Sequence, residues 1–195
     1  VGKYGAQGQA VLKKAAALDI AMICPLHGPV LKEDLGHYID KYNIWSSYGV
    51  ESEGVFIAYA SVYGNTRKAA DMLASKLADK GVHVTVSDLS RDDWAECLED
   101  AFRYGKLVLA APTYNADVFP AMKEFINHLT ERNYQNRTIG IIENGSWAPM
   151  AAKVMKGMFE KSKNITFAEN TVTVRSAVNA ANEAQIEALA EELKG

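Results

Sequence analysis

The sequence is poor in cysteine and contains no long apolar run, and each absence excludes a class of protein. Its 195 residues include two cysteines, Cys24 and Cys97, which lie far apart and form no CxxC motif. This usage is typical of a reduced, cytoplasmic protein without a disulfide framework. No apolar run approaches the roughly 20 residues that a membrane-spanning helix needs. We therefore expect a cytoplasmic protein with no membrane partner.

The sequence also lacks concentrated charge. The net charge is −3, and the lysines and arginines are scattered without forming a basic run. Nucleic-acid-binding proteins normally carry a basic patch, so we expect no nucleic acid partner. The hydrophobic fraction of 48% is typical of a globular protein with a core. The first residue is Val1 rather than methionine, and we expect the chain to be a fragment or a processed product.

Strand and helix patterns alternate along residues 55–195. Apolar or alternating runs predict strands at residues 55–59, 82–87, 106–111, 138–143 and 171–174. Apolar residues at helical spacing predict helices at residues 66–80, 92–104, 117–132, 149–161 and 183–194. Asn182 is the expected N-cap of the last helix, with Gln185 at the capping-box position. This alternation predicts a doubly wound α/β fold, with a five-stranded parallel sheet in the order 2-1-3-4-5.

Residues 1–50 show a different pattern. Helices are predicted at residues 7–18 and 33–45, with a short apolar run at residues 20–24 between them. So few elements cannot bury a core by themselves. We therefore divide the chain into an incomplete domain at residues 1–50, a linker at residues 51–54 and a complete domain at residues 55–195.

The loop after the first predicted strand is suited to a phosphate. Residues 61–66 supply the hydroxyls of Ser61 and Thr66 and a flexible Gly64, and a helix begins at Thr66. A helix N-terminus presents backbone N–H groups and a positive dipole end to an anion. No lysine or arginine precedes Thr66 in this loop. The loop therefore indicates a phosphate held by hydrogen bonds rather than by a countercharge.

Two further loops follow the third and fourth predicted strands at the same edge of the sheet. Each contains one large aromatic residue, Tyr114 or Trp147, and such residues can cover the two faces of a planar ring. Small polar residues beside them can meet the polar edge of that ring. A phosphate at one end and a flat heteroaromatic ring at the other describe flavin mononucleotide (FMN). The candidate FMN-binding residues are Ser61, Val62, Tyr63, Gly64, Asn65, Thr66, Pro112, Thr113, Tyr114, Asn115, Ala116, Asn144, Gly145, Ser146, Trp147 and Ala148.

Each of these loops has an ordinary interpretation when it is taken alone. A strand, loop and helix with Ser, Gly and Thr is common, and Tyr114 or Trp147 could be a packed surface aromatic. Asp117 and Glu143 could tune the redox potential of a flavin, or could simply be charges at a helix start and a strand end. The combination of three such loops at one edge favours flavin binding.

Residues 55–195 resemble the flavodoxin domain family. The resemblance rests on Phe56-Ile57-Ala58-Tyr59-Ala60-Ser61-Val62-Tyr63-Gly64-Asn65-Thr66, followed by Ala70 and Leu73. Cys24-Pro25-Leu26-His27-Gly28-Pro29 and Lys41-Tyr42-Asn43-Ile44-Trp45 resemble the end of the metallo-β-lactamase-like domain of A-type flavoproteins, the flavodiiron proteins. In that family this domain directly precedes a flavodoxin-like domain, so the resemblance implies a flavodoxin-like fold for residues 55–195.

The resemblance also implies an activity for a larger parent protein. Flavodiiron proteins reduce dioxygen to water or nitric oxide to nitrous oxide at a diiron centre. Their FMN relays electrons from rubredoxin or a similar donor, and the full-length proteins form head-to-tail homodimers. His27 matches an iron ligand of the family, but the other ligands are absent here. His27 is therefore expected to bind iron only in an intact parent, and we expect no catalytic residue in this chain.

Three other interpretations share the same fold. A free-standing flavodoxin would be an electron carrier with an N-terminal extension. The resemblance of residues 24–29 and 41–45 to a metallo-β-lactamase-like domain makes this interpretation less favourable. An FMN-dependent quinone reductase usually needs an insertion that we do not find. A receiver-type signalling module needs clustered acidic residues after the first strand, where this chain has Tyr59-Ala60-Ser61.

Overall fold

A mainly parallel β-sheet lies at the centre of the computed structural model, which describes every residue from Val1 to Gly195. Its strands are β1 (Ser52–Tyr59), β2 (Val84–Asp88), β3 (Tyr104–Tyr114), β4 (Asp117–Val118), β5 (Arg137–Asn144), β6 (Ile165–Phe167) and β7 (Val172–Val174). The order is β2-β1-β3-β5, and both β6 and β7 pair with β5 in parallel. The predicted order is therefore confirmed, with β6 and the short antiparallel β4 as additional strands.

Burial explains which sequence pattern each strand shows. Residues Val55 to Tyr59 of β1 are all buried, because β1 has strands on both sides and helices on both faces. The edge strand β2 alternates apolar and polar residues, and all five of its residues are only partly buried. The central strands are thus continuously apolar. Strand β2, with its alternating pattern, is the outermost strand on one side of the sheet.

The fifth position of the sheet is divided between two short strands. β6 pairs with Arg137 to Ile139 of β5, and β7 pairs with Ile142 to Asn144. Only β7 was expected from the sequence. Between the two strands, the backbone N–H groups of Glu169 and Asn170 donate to the Glu192 carboxylate at 2.7 and 3.1 Å. The carboxylate thus provides acceptors for two backbone N–H groups that form no hydrogen bond with β5.

Helices cover both faces of the sheet. They are α1 (Gly5–Ala15), α2 (Leu35–Ser46), α3 (Asn65–Asp79), α4 (Trp94–Arg103), α5 (Pro120–Glu131), α6 (Ala151–Met158) and α7 (Ala180–Leu193), after a single 3₁₀ turn at Gly2–Tyr4. One apolar cluster joins α3 and α7 to the sheet, and a second joins α4, α5 and α6 to the opposite face. The chain is thus a doubly wound α/β protein. None of these helices is long and apolar enough to cross a membrane.

Helix α7 starts earlier than the sequence pattern predicted. Its N-cap is Asn179, whose extended backbone lets the side-chain oxygen accept from the N–H groups of Ala181 and Asn182. The prediction of Asn182 as the N-cap was wrong. Asn182 is instead the third helical residue, where it completes the capping box and donates to the Thr173 carbonyl at 2.8 Å.

The first 50 residues contribute little buried surface. Helices α1 and α2 pack on each other, and the only buried residues of this N-terminal segment are Gly5, Gly8 and Ser46. A Cβ atom at Gly5 would lie 2.5 Å from the Ser46 carbonyl oxygen, so glycine permits this close helix approach. Strand β1 begins at Ser52, and residues 52–54 therefore extend the sheet although we expected a linker there.

One buried arginine connects the N-terminal segment to the sheet through hydrogen bonds. The guanidinium of Arg137 donates to the carbonyls of Tyr48, Gly49 and Phe102 at 2.9, 2.8 and 2.6 Å. Arg137 is 3% exposed, and burial lowers the pKa of its guanidinium. Two separate segments of backbone, residues 48–49 and Phe102, thus meet at one side chain.

We predict that Arg137→Ala destabilises the fold by about 3 kcal/mol or more, because buried carbonyls lose their charged donor. Urea unfolding measures this change in the free energy of unfolding. Arg91→Ala is the matched control, since Arg91 is largely exposed and forms only a 3.5 Å ion pair with Asp88. A loss at Arg137 no greater than the loss at Arg91 would contradict this account.

Candidate functional site

Parallel pairing brings the three predicted loops to one edge of the sheet. Strands β1, β3 and β5 run in the same direction, so their carboxyl ends and the loops that follow them are neighbours. Between these loops lies a cleft of about 360 Å³, which we call the rim cleft. It is lined by Ser61, Val62, Tyr63, Asn65, Thr66, Pro112, Thr113, Tyr114, Phe119, Asn144, Gly145, Ser146 and Ser176.

Three larger cavities lie elsewhere in the molecule. Two of them, of about 720 and 500 Å³, lie where the N-terminal segment meets α4, α5 or α6, and the third, of about 480 Å³, lies between α1 and α2. None of the three contains a residue of the three loops. The rim cleft is therefore the cavity at the position where doubly wound sheets bind ligands.

The first loop ends in a helix N-terminus whose N–H groups have no partners. Gly64 adopts a φ of +85°, and its N–H donates to the Ser61 hydroxyl at 3.1 Å. The first helical bond of α3 is made by the N–H of Lys68 to the Gly64 carbonyl. The N–H groups of Asn65, Thr66 and Arg67 donate no hydrogen bond within the chain. Such a set of free donors can surround an anion.

Thr66 adds a side-chain donor to these amides. The residue is 2% exposed, yet its hydroxyl makes no hydrogen bond within the chain. The hydroxyl oxygen is not among the buried side-chain atoms that lack a partner, so it stays open to the rim cleft and can donate to a ligand there. The nearby guanidinium of Arg67 pairs with Asp71 at 3.4 Å instead. The donor set thus fits the phosphate of FMN, held without a countercharge.

The second loop is a tight β-hairpin. β3 and β4 pair antiparallel around Asn115 and Ala116, whose φ values are +51° and +59°. Positive φ at both central residues is typical of a type I′ turn. The helix expected from residue 117 begins instead at Pro120, because Asp117 and Val118 pair with β3. This correction places Asp117 on a strand rather than at a helix start.

Tyr114 is positioned by the same hairpin. Its ring is 51% exposed and packs edge-on against Phe119, with 6.0 Å between the ring centroids. Both residues line the rim cleft. Asp117 lies across the hairpin and bonds to the Lys123 ammonium at 2.5 Å, which holds the pKa of Asp117 below its ordinary value.

Several polar side chains of the site hold the loops in place. The Thr113 hydroxyl accepts from the N–H groups of Met150 and Ala151 at 2.9 and 3.1 Å. The Glu143 carboxylate accepts from the Ala152 N–H at 2.9 Å and from the Thr173 hydroxyl at 3.0 Å. The N-cap residue of α6, Met150, makes no side-chain capping bond. Thr113 on β3 and Glu143 on β5 accept hydrogen bonds from the N–H groups at this helix start instead.

The candidate residues fall into two groups in the structure. Eleven of them line the rim cleft, whereas Gly64, Asn115, Ala116, Trp147 and Ala148 do not. Trp147 is 94% exposed, so its ring packs on nothing in the chain. Of the two aromatic residues expected to cover a ring, only Tyr114 borders the cleft.

Two lining residues were not among the candidates. Phe119 follows the hairpin, and Ser176 follows β7. Ser176 could have been predicted from the sequence, because it follows the fifth predicted strand, whose carboxyl end lies beside those of the other parallel strands. The sequence pattern held no such indication for Phe119, because the residue lies within the helix predicted at residues 117–132.

His27 lies far along the chain from these loops and is exposed. No group of three or more His, Cys, Asp or Glu side chains is arranged to hold a metal ion. The role of His27 as an iron ligand in a longer protein thus stays a prediction.

Comparison with known proteins gives a family match over most of the chain. Residues 56–175 match the flavodoxin domain model. The chain is 32% identical to coenzyme F420H(2) oxidase of Methanothermobacter marburgensis, over 62% of this chain and 29% of that protein. It is 25% identical to nitric oxide reductase of Moorella thermoacetica, over 81% of this chain and 39% of that protein.

A solved structure shares the same fold. Rubredoxin oxygen:oxidoreductase from Desulfovibrio gigas superimposes with a TM-score of 0.90 at 19% identity, over 99% of this chain and 49% of that one. The chain thus spans less than half the length of each of these three proteins.

We predict that Thr113→Val destabilises the protein by about 1 kcal/mol, because two N–H groups of α6 lose their acceptor. Thermal or urea unfolding measures the change. Thr130→Val is the control, since the Thr130 hydroxyl bonds only to carbonyls of its own helix. Equal effects of the two substitutions would show that Thr113 does not cap α6.

Proposed function

This chain belongs to the flavodoxin domain family, and we propose on that premise that its rim cleft binds FMN and that it serves as an electron-transfer domain. The proposed contacts come from the three loops at residues 61–66, 112–116 and 144–148. FMN, when bound, supplies reversible redox chemistry. The protein supplies binding, orientation and shielding from water.

The observation that carries this proposal is the donor set at the start of α3. Three consecutive free N–H groups and the unpaired hydroxyl of Thr66 converge at one helix N-terminus. Charged acceptors make the stronger hydrogen bonds, so a phosphate gains more from these donors than a neutral group does. Tyr114 borders the same cleft and is 51% exposed, and we propose that its ring stacks on the flavin.

We further propose that the chain is the flavin domain of a flavodiiron protein. In such a protein FMN passes electrons from a rubredoxin-type donor to a diiron centre that reduces dioxygen to water or nitric oxide to nitrous oxide. The names of the similar proteins, an oxidase, a nitric oxide reductase and a rubredoxin oxygen:oxidoreductase, support this class. The diiron centre would belong to the remainder of a longer cytoplasmic, homodimeric parent, with His27 as one ligand.

The N-terminal segment supports the same assignment. Both apolar clusters are built entirely from residues 55–193, so residues 1–50 belong to neither. Leu18, Leu26 and Val30 of this segment are 68%, 97% and 53% exposed. We interpret residues 1–50 as the end of a metallo-β-lactamase-like domain, joined through residues 51–54 to the FMN-binding domain at residues 55–195.

A free-standing electron carrier is the second candidate. The observation in its favour is that residues 52–195 contain the whole sheet, both apolar clusters and every residue that lines the rim cleft. Such a carrier would keep FMN binding but would need no partner for residues 1–50. The exposed apolar side chains of that segment favour the flavodiiron assignment.

We predict that the purified chain binds one FMN and that Thr66→Val weakens FMN binding about 10- to 100-fold, because a hydrogen bond to a charged group is lost. Riboflavin has no phosphate, so its affinity should change by less than about threefold. Titration of flavin-free protein, followed by flavin fluorescence, measures both dissociation constants.

The control for this experiment is Thr166→Val. Thr166 is an exposed residue of β6, and its hydroxyl forms no hydrogen bond. It pairs with Thr138 near the start of β5, away from the rim cleft. An equal loss of FMN and riboflavin affinity in Thr66→Val would overturn the phosphate role of this loop, and a chain that binds neither flavin would overturn the proposed function.

A further inference from the structure

A fourth loop reaches the rim cleft from the end of β7. Val172 to Val174 pair with Ile142 to Asn144 of β5, so the residues that follow β7 lie beside the third loop. Ser176 is exposed and lines the cleft together with Ser146. The three-loop pattern of the sequence assigns no role to Ser176.

The side chain of Asn144 fixes the backbone of Ser176. The Asn144 amide nitrogen donates to the Ser176 carbonyl at 3.0 Å, and the Ser176 N–H donates to the Asn144 amide oxygen at 3.2 Å. Asn144 is 8% exposed, so this two-bond bridge is shielded from water. Ser176 has a φ of +68°, a left-handed conformation that residues other than glycine seldom adopt. The bridge holds Ser176 in that conformation.

The conformation of Ser176 brings two hydroxyls together. The oxygens of Ser146 and Ser176 lie 2.8 Å apart, and either hydroxyl can be the donor. Each serine hydroxyl has one proton, so one O–H is used within the pair and the other is left free to donate. Both residues line the cleft. The pair therefore presents one directed donor, together with free lone pairs, to a ligand.

We propose that the Ser146–Ser176 hydroxyl pair is a further binding element of the cleft, which donates a hydrogen bond to an oxygen or nitrogen acceptor of FMN. Asn144 is the positioning residue that holds Ser176 in place for this contact. The inference rests on the proposed function, because it concerns the same cleft and the same ligand. In this proposal the side chain of Asn144 hydrogen-bonds to the backbone of Ser176 and does not contact the flavin ring.

The direct test compares Ser176→Gly with Ser176→Ala. Both substitutions remove the hydroxyl, but glycine adopts the left-handed conformation without steric cost. If the hydroxyl contacts FMN, both variants should weaken FMN binding by about three- to tenfold, the loss expected for one neutral hydrogen bond. Fluorescence titration of the flavin-free 195-residue chain measures the dissociation constants. Because either hydroxyl of the pair can be the one that donates to FMN, Ser146→Ala is measured alongside, and wild-type affinity in both Ser176→Gly and Ser146→Ala would overturn the proposal.

A double-mutant cycle tests the positioning role of Asn144. Asn144→Ala should weaken FMN binding at least as much as Ser176→Ala, and the double variant should bind no more weakly than Asn144→Ala alone. Losses that add would show that Asn144 does not act through Ser176. Asn164→Ala is the matched control, because the Asn164 amide donates to Asn136 at 2.9 Å between two loops at the other edge of the sheet.

The failure of this inference differs from the failure of the proposed function. Wild-type protein that binds FMN, with unchanged affinity in both Ser176→Gly and Ser146→Ala, rejects only the hydroxyl pair. Wild-type protein that does not bind FMN rejects both.

Discussion

The free N–H groups at the start of α3 are the constraint on which the rest of this site depends. A helix must leave its first N–H groups without helical partners, and here no side chain of the chain caps those of Asn65, Thr66 and Arg67. β1 leads directly into this helix, and the parallel pairing of β1 with β3 brings the next loop alongside. The fold therefore places these unpaired N–H groups next to the loop that follows β3.

The polar residues around the cleft divide into two kinds. Thr113, Glu143 and Asn144 are engaged by backbone groups or hydroxyls of the protein, and they fix the shapes of the loops. Thr66 and the pair of serines retain hydrogen-bonding capacity for a ligand. Unpaired donors in a cleft whose other polar groups have partners are consistent with the proposed ligand site. This division follows from the hydrogen bonds rather than from residue type, since both kinds include hydroxyls.

Much of the fold could be predicted from the sequence, because buried parallel strands and amphipathic helices leave strong local patterns. The strand order and the three loops at one edge followed from those patterns. The N-cap at Asn179, the division of the fifth strand at Glu169 and the hairpin at Asn115 could not be predicted as readily. The cap depends on which of two nearby asparagines bonds to the first helical N–H groups, and the hairpin depends on a positive φ at two residues that are not glycine. The division of the fifth strand depends on Glu192, a residue of α7 that is distant in sequence.

The most direct measurement of the central claim is a backbone ¹H–¹⁵N NMR titration of the flavin-free protein with FMN and, separately, with riboflavin. The account predicts that both ligands shift the amide signals of Tyr114 and Ser146, and that FMN alone strongly shifts those of Asn65, Thr66 and Arg67. Unchanged signals at the start of α3 in the FMN complex, or equal shifts there with riboflavin, would contradict it.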